Sequence, residues 1–242
     1  VELSLNATLL KTRKASIDFN LNLTHNYNKI TSLDKDFEKD GIKGGYWIRR
    51  VGGSVYQAYM YKSAGVCQQA DVDASGGTFT AADLGRAMYW KHVEEKNDAG
   101  EVVKEYDAKT CTFSEATKYD LGTTLPKLYG GFGLSATFFG FDFTAQFQYQ
   151  LGGKYYDSAY QAMMWTQDER GNNMHKDLLN AWTAENPNTN IPRLDTEYAV
   201  GQSNVDTYLT SSNYLSLNNV SLGYTVPKKF CRKSGFKSIR VY

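Results

Sequence analysis

Residues 141–151, with the sequence FDFTAQFQYQL, alternate strictly between apolar and polar side chains. Successive side chains of a strand point to opposite faces of a sheet, so this alternation predicts a strand with one apolar and one polar face. The segment also has the length of about 9 to 11 residues that a tilted strand needs to cross a bilayer, and aromatic rings lie near both ends of its apolar face. These features favour a transmembrane β-barrel strand over the half-buried strand of a soluble sheet.

The same pattern predicts two hairpins. Residues 3–9 and 17–24 both alternate, and a short turn at residues 11–14 joins them. Residues 126–139 lead into a tight turn at Gly140, after which the first segment begins. Alternating runs separated by short turns are typical of antiparallel pairs.

Two further segments are strand-like but irregular. Residues 213–227 alternate with a change of phase near Asn218 and Asn219, which predicts a β-bulge. Residues 46–61 are aromatic, yet their paired Gly and Arg residues make a poor membrane crossing. We therefore expect residues 46–61 to be a strand extension beyond the bilayer.

Two long stretches lack this pattern. Residues 65–124 are predicted to be an irregular loop, and residues 152–212 a second loop with short helices around residues 157–164 and 174–182. Short turns that alternate with long loops are typical of outer-membrane barrels, whose periplasmic turns are tight and whose extracellular loops are long. The long stretches are therefore predicted to face the outside of the cell.

Composition agrees with a polar β protein. The 242 residues include 21 Gly, 18 Tyr and 4 Pro, the mean hydropathy is −0.51, and the formal net charge is +1. This charge argues against a strongly basic nucleic-acid-binding protein. No apolar run is long enough for a transmembrane helix, but barrel strands alternate and escape that test. The chain begins without Met or a signal segment, so we expect it to be a fragment.

Several segments together resemble a known family. They are LPKLYGGFGLSATFFGFDFTAQFQYQLGGKYYDSAY, HKDLLNAWTAENPNTNIPRL, SNYLSLNNVSLGYTVPKK and SIRVY, in that order. They resemble the C-terminal barrel region of SusC/RagA-like TonB-dependent transporters of Bacteroidetes outer membranes. The resemblance implies an all-β fold, part of a transmembrane antiparallel β-barrel of about 22 strands with a plugged lumen. Residues 1–242 would be a partial C-terminal barrel region, without the plug domain and the closing strands.

The function implied by this resemblance is outer-membrane import of a glycan or peptide nutrient. Its expected partners are a SusD-like surface lipoprotein acting as a lid, the TonB–ExbB–ExbD energising complex and membrane lipid, with no cofactor and no nucleic acid. Residues 97–101, NDAGE, depart from an acidic segment of many relatives, so no calcium site is expected. The alternatives are a passive outer-membrane porin and a soluble β-sandwich carbohydrate-binding module.

The residues that resemble enzymatic motifs lack the structural context that those motifs require. Residues 131–136 match a dinucleotide-binding fingerprint but open a strand rather than a helix. His175 and Asp177 lack a third catalytic partner at usable spacing. The chain is therefore predicted not to be an enzyme. Cys67 and Cys111 fall in the same predicted outer loop, which leaves a disulfide or free thiols as alternatives.

Two sets of residues are predicted to matter for transport. Aromatic side chains interleaved with polar ones suit sugar rings or peptide backbones, although such residues also serve in membrane girdles and loop packing. The candidates for contact with the substrate or lid are Trp47, Tyr56, Tyr59, Trp90, Tyr155, Tyr156, Trp165 and Trp182. The polar positions of the strands are expected to face the lumen: Asp18, Asn20, Asn22, Asp142, Gln146, Gln148 and Gln150.

Overall fold

A computed structural model describes residues 1–166, 171, 173–195, 197–233 and 235–242, excluding the side chains of residues 232 and 233. The strands are β1 (Glu2–Lys11), β2 (Ala15–Thr24), β3 (Ile42–Lys43), β4 (Trp47–Arg49), β5 (Gln57–Tyr61), β6 (Ser63–Val66), β7 (Ala87–Lys96), β8 (Val102–Thr110), β9 (Lys118–Thr123), β10 (Leu128–Phe138), β11 (Phe141–Leu151), β12 (Lys154–Tyr156), β13 (Leu209–Ser211), β14 (Tyr214–Thr225) and β15 (Arg240–Val241). The α-helices are α1 (Gln69–Ala74), α2 (Ser158–Met164) and α3 (Lys228–Lys233). Short 3-10 helices lie at Lys35–Phe37, Ala81–Asp83, Phe113–Glu115, Lys176–Asn180 and Asp206–Tyr208.

The chain divides into two compact units. The first unit comprises Val1–Asn28, Leu125–Lys154 and Ser211–Tyr242, and the second comprises Lys29–Thr124 and Tyr155–Thr210. Among the described residues, no helix combines the length and the apolar character that crossing a membrane requires. The all-β prediction is confirmed at this level, since antiparallel strands dominate and helices are few and short.

The first unit is built on one antiparallel sheet, called the main sheet here, with the strand order β1-β2-β10-β11-β14-β15. Both predicted hairpins are present, as β1–β2 and β10–β11. The strand predicted from strict alternation coincides with β11, which is 11 residues long. Period-two patterning fixed these strands because a shift by one residue would exchange the two faces of the sheet.

The β10–β11 turn has the tight geometry that the sequence predicts. Phe138 pairs with Phe141, so the loop contains only Phe139 and Gly140. Both loop residues have positive φ, +48° and +92°, as a type I′ turn requires. Glycine adopts this conformation without strain, whereas Phe139 does so at a steric cost.

Bulges keep the two faces of the main sheet separate. In β11, Gln146 pairs with Asn219 of β14, but the next residue, Phe147, pairs with Leu217. Asn218 is therefore the extra residue of the bulge. This confirms the predicted bulge. A second bulge in β1, at Leu9, was not predicted, because the apolar Leu9 fits simple alternation in the sequence.

The second unit shows that one prediction was wrong. Residues 65–124 are not an irregular loop, since they contain the long β7–β8 hairpin and strand β9. The unit holds a three-stranded sheet, β6-β7-β8, and a four-stranded sheet, β3-β4-β5-β9. Residues 46–61 contribute β4 and β5 to the latter sheet, so they are two short paired strands rather than one extension.

The helices of the second unit agree in part with the prediction. Helix α2 confirms the first predicted helix, and the Asp157 side chain caps it by accepting the Tyr160 backbone N–H. The second predicted helix is only the 3-10 helix Lys176–Asn180. A core of Tyr89, Met164, Leu178, Val200, Val205 and Tyr208 packs nearby within this unit.

Candidate functional site

The register of the main sheet places the seven predicted lumen residues on one face. Thr144 pairs with Ser135 and Ser221, and Gln146 pairs with Gly133 and Asn219, so polar or small residues face the same side in adjacent strands. The opposite face carries Leu5, Leu21, Phe132, Phe147 and Leu217 in one row across the sheet. Both faces therefore continue across five strands.

The polar face contains a shallow groove of about 350 Å³. Six amide side chains line it, with three tyrosines beside them: Asn20, Asn22, Gln146, Gln148, Gln150, Asn218, Tyr129, Tyr149 and Tyr214. Asn22 Oδ1 accepts the Gly131 N–H at 2.8 Å, and Gln150 Nε2 donates to Ser212 Oγ at 2.7 Å. Because no charged side chain among the described residues lines this groove, it is suited to neutral polar groups.

Two acidic residues of the polar face, Asp18 and Asp142, have side-chain partners. Thr8 Oγ1 donates to Asp18 Oδ1 at 2.7 Å. Arg240 forms a two-pronged ion pair with Asp142, in which Nε lies 3.2 Å from Oδ1. Gly223 leaves space for this pair, since a Cβ there would lie 2.7 Å from the Asp142 carboxylate. The pair connects β15 to β11 across β14. It also neutralises the Asp142 carboxylate, which would otherwise lack an opposite charge.

The predicted aromatic contacts differ in exposure. Tyr56 and Tyr155 are 58% and 48% exposed, so they are accessible to a ligand. The other six are half-buried: Trp47, Tyr59, Trp90, Tyr156, Trp165 and Trp182. These six therefore present only part of their rings to solvent.

Two of the half-buried aromatics have evident packing roles. Trp182 covers Gly85, where a Cβ would lie 2.3 Å from the indole ring, and its Nε1–H donates to Gln68 Oε1 at 3.2 Å. Tyr156 stacks on Tyr46 with ring centroids 5.5 Å apart. These contacts orient the two rings within the second unit.

An ionisable cluster on the β7–β8 hairpin was not singled out from the sequence. Ligand atoms of His92, Glu94 and Glu105 lie within 4.8 Å of one another, and all three residues are exposed. The Tyr119 hydroxyl, and after it His92, lowers the pKa of Asp107 beside this cluster. Cross-strand pairing brings these groups together, because Glu94 lies opposite Glu105 and His92 opposite Asp107. Exposed acidic groups commonly lie this close together without an ion, so we assign no metal to this cluster.

The structure brings Cys67 and Cys111 together. Both are free cysteines, and both lie at the small apolar cluster formed with Phe79 and Met88. Burial raises the pKa of the Cys111 thiol to about 12 and also raises that of Cys67. Both thiols are consequently protonated at neutral pH, which slows their reaction with alkylating reagents.

We expect Cys67 and Cys111 to form a disulfide in an oxidising compartment. The closed loop would then stabilise the second unit by about 4 kcal/mol in the chain-entropy model. The measurement is mass spectrometry of peptides from unreduced protein, in which the linked pair lacks two hydrogen atoms. Cys231 is the internal control, because it is buried in the first unit and its Sγ contacts the Val226 carbonyl. Complete alkylation of Cys67 and Cys111 in denatured, unreduced protein would contradict the prediction.

Comparison with known proteins shows what the chain is similar to. No protein-family profile matches the chain. Curated TonB-dependent receptors, however, match it along its whole length, which confirms the resemblance found in the sequence. TonB-dependent receptor P3 of Formosa agariphila is 25% identical over 252 residues, covering 100% of this chain and 23% of the receptor. Receptor P26 of the same organism is 26% identical over 247 residues, again covering 100% and 23%.

The structural comparison shows a similar fold in solved proteins. The structure of the RagAB peptide transporter matches 99% of this chain and 24% of its own, with a TM-score of 0.72 and 22% sequence identity. A structure of the RagAB peptide importer in a closed-closed state matches 95% and 23%, with a TM-score of 0.68 and 22% identity. The chain thus spans about a quarter of the proteins it matches. These relatives are receptors and transporters rather than enzymes, as the sequence predicts.

Proposed function

We propose that residues 1–242 form the C-terminal part of the barrel wall of a TonB-dependent importer in a bacterial outer membrane. The observation that carries this proposal is the exposed apolar face of the main sheet. On β14 alone, Leu215, Leu217, Val220 and Leu222 are between 51% and 65% exposed. Soluble monomers rarely expose such a continuous apolar surface, whereas a barrel wall presents it to lipid.

Connection lengths support the same proposal. At one end of the strands of the main sheet, short turns at residues 12–14 and 139–140 join β1 to β2 and β10 to β11. The long connections, residues 25–127 and 152–213, both begin and end at the opposite end of the strands. In an outer-membrane barrel the short turns face the periplasm and the long connections face outward. A barrel of about 22 strands, with a plug from outside this sequence, completes the proposal.

The polar face of the main sheet would then line the lumen. Its amide groove offers hydrogen bonds but no net charge, which suits a neutral polar solute or the polar surface of a plug. The second unit would face outward, where Tyr56 and Tyr155 are available to a glycan or peptide nutrient or to a SusD-like lipoprotein lid. TonB with ExbB and ExbD would supply the energy, because the outer membrane holds no ATP.

Fractionation of cells that express the full-length protein tests the proposal. We expect the protein in the outer-membrane fraction, extracted only by detergent, and co-purifying with a lipoprotein of the SusD type. The reason is that the apolar face needs lipid or detergent to cover it. A freely soluble periplasmic protein would contradict the barrel and favour a soluble β-sandwich. Outer-membrane protein without a lipoprotein partner would leave the barrel in place but contradict the lid.

A further inference from the structure

The second unit contains a cavity of about 250 Å³ beside its hydrophobic core. Three aliphatic side chains, Met164, Ile191 and Val200, contribute to its wall, together with the phenol rings of Tyr89 and Tyr208. The volume is enough for roughly eight water molecules at the density of the liquid. A phenol ring has fewer heavy atoms than this number of water molecules, so one ring fits in the cavity.

The two tyrosines line the cavity, and neither hydroxyl is among the fully buried polar atoms that lack a partner, so both hydroxyls are reachable by solvent. Tyr89 and Tyr208 are each 6% exposed, and no described residue forms a hydrogen bond with either hydroxyl. Tyr160, which also lines the cavity, differs, since its hydroxyl donates to Asp177 Oδ2 at 2.9 Å. Buried tyrosine hydroxyls usually have a partner, so these two are available to a group that enters the cavity.

Among the described residues, the cavity wall carries no charged side chain. Its polar side chains are hydroxyls and amides, from Ser63, Asn190, Gln202 and Thr207, besides the tyrosines. Burial raises the pKa of both Tyr89 and Tyr208, so their hydroxyls stay protonated and can donate as well as accept. A charged ligand would lose hydration here without gaining a counter-ion.

The remaining choice is between a sugar and an aromatic ring. A sugar carries hydroxyls around its whole rim, and each of them needs a partner when it is buried. Much of this wall is aliphatic and offers no partner. A phenol has apolar faces and a single hydroxyl, which matches a wall divided between aliphatic side chains and polar ones.

We propose that this cavity binds the side chain of a tyrosine, or a similar neutral aromatic residue, in a peptide ligand. The proposal narrows the nutrient of the proposed function to a peptide, and it rests on that function only for its biological role. Binding itself is measured without transport. Failure of binding and failure of import are therefore separate results.

The test is calorimetric titration of the full-length protein in a polyoxyethylene detergent. N-acetyltyrosinamide is expected to bind saturably and methyl glucoside is not. Replacing Tyr89→Phe or Tyr208→Phe removes one hydroxyl and should weaken binding about three- to tenfold, the usual effect of one neutral hydrogen bond. The matched control is Tyr119→Phe, because that hydroxyl donates to Asp107 Oδ1 at 2.8 Å and does not line the cavity.

Stability measurements make the result decisive. Neither Tyr89→Phe nor Tyr208→Phe removes a hydrogen bond within the described residues, so their unfolding temperatures should equal that of the parent protein or exceed it. The proposal is overturned if the parent protein does not bind N-acetyltyrosinamide, or if both variants bind it with the parent's affinity. Preferential binding of methyl glucoside would also overturn it, in favour of a glycan site.

Discussion

Replacing Val220→Arg is expected to destabilise the full-length protein in a membrane by about 2 to 4 kcal/mol. Val220 lies on the apolar face of β14, opposite Ala145 in the middle of β11, and is 57% exposed within the chain. In a soluble sheet such an exposed position tolerates arginine with little change. In a barrel wall the same position faces hydrocarbon, where a guanidinium is costly.

The adjacent residue provides the control. Asn219 is also exposed but pairs with Gln146 on the polar face, so Asn219→Arg should be far milder. The measurement is the free energy of unfolding, from denaturant titration of protein refolded into lipid vesicles. Equal losses in the two variants, or a negligible loss for Val220→Arg, would contradict the assignment of the apolar face to lipid.

The main sheet is predictable because the alternation of side chains within each strand is visible in the sequence of that strand alone. In β11 and β2 the side-chain alternation alone specifies which residues share a face, and the antiparallel register then joins those faces. The predicted lumen residues lie together for this reason. The bulge at Asn218 was also readable, because it appears as a change of phase in the sequence.

The β7–β8 hairpin was missed because it lacks that signal. Charged residues of these strands lie opposite one another, as in the pairing of Glu95 with Lys104, so both strands are largely polar. The loop between them contains Asn97 and Gly100, and Gly100 has a φ of +80°. The loop itself is a turn signal, but the flanking strands lack the apolar alternation that predicts a hairpin.

The roles of the aromatic residues depend on tertiary structure. Nothing in the sequence near Trp182 indicates that it covers Gly85, which lies far away in the chain. Likewise, the sequence does not distinguish Tyr89 and Tyr208, which are buried, from Tyr56, which is exposed. Contacts between distant segments determine burial, so composition identifies an aromatic-rich unit but not its accessible members.

Nutrient uptake by cells that carry the intact gene is expected to stop when TonB is deleted, while binding of the nutrient at the cell surface continues. A barrel of about 22 strands has a lumen wide enough to leak, so it must be plugged. A plugged pore passes nothing until work is done on the plug, and the outer membrane has neither ATP nor an ion gradient. The energy must therefore come from the inner membrane.

Labelled nutrient measures both steps in the same cells. Binding is the label retained at the surface of chilled cells, and import is the label that becomes protected from washing after warming. A protonophore should reproduce the TonB deletion, because TonB is driven by the energised inner membrane. Uptake of a small sugar that enters through general porins is the control and should be unchanged by the TonB deletion. Nutrient import that persists at the parental rate without TonB would contradict active transport and favour a passive porin.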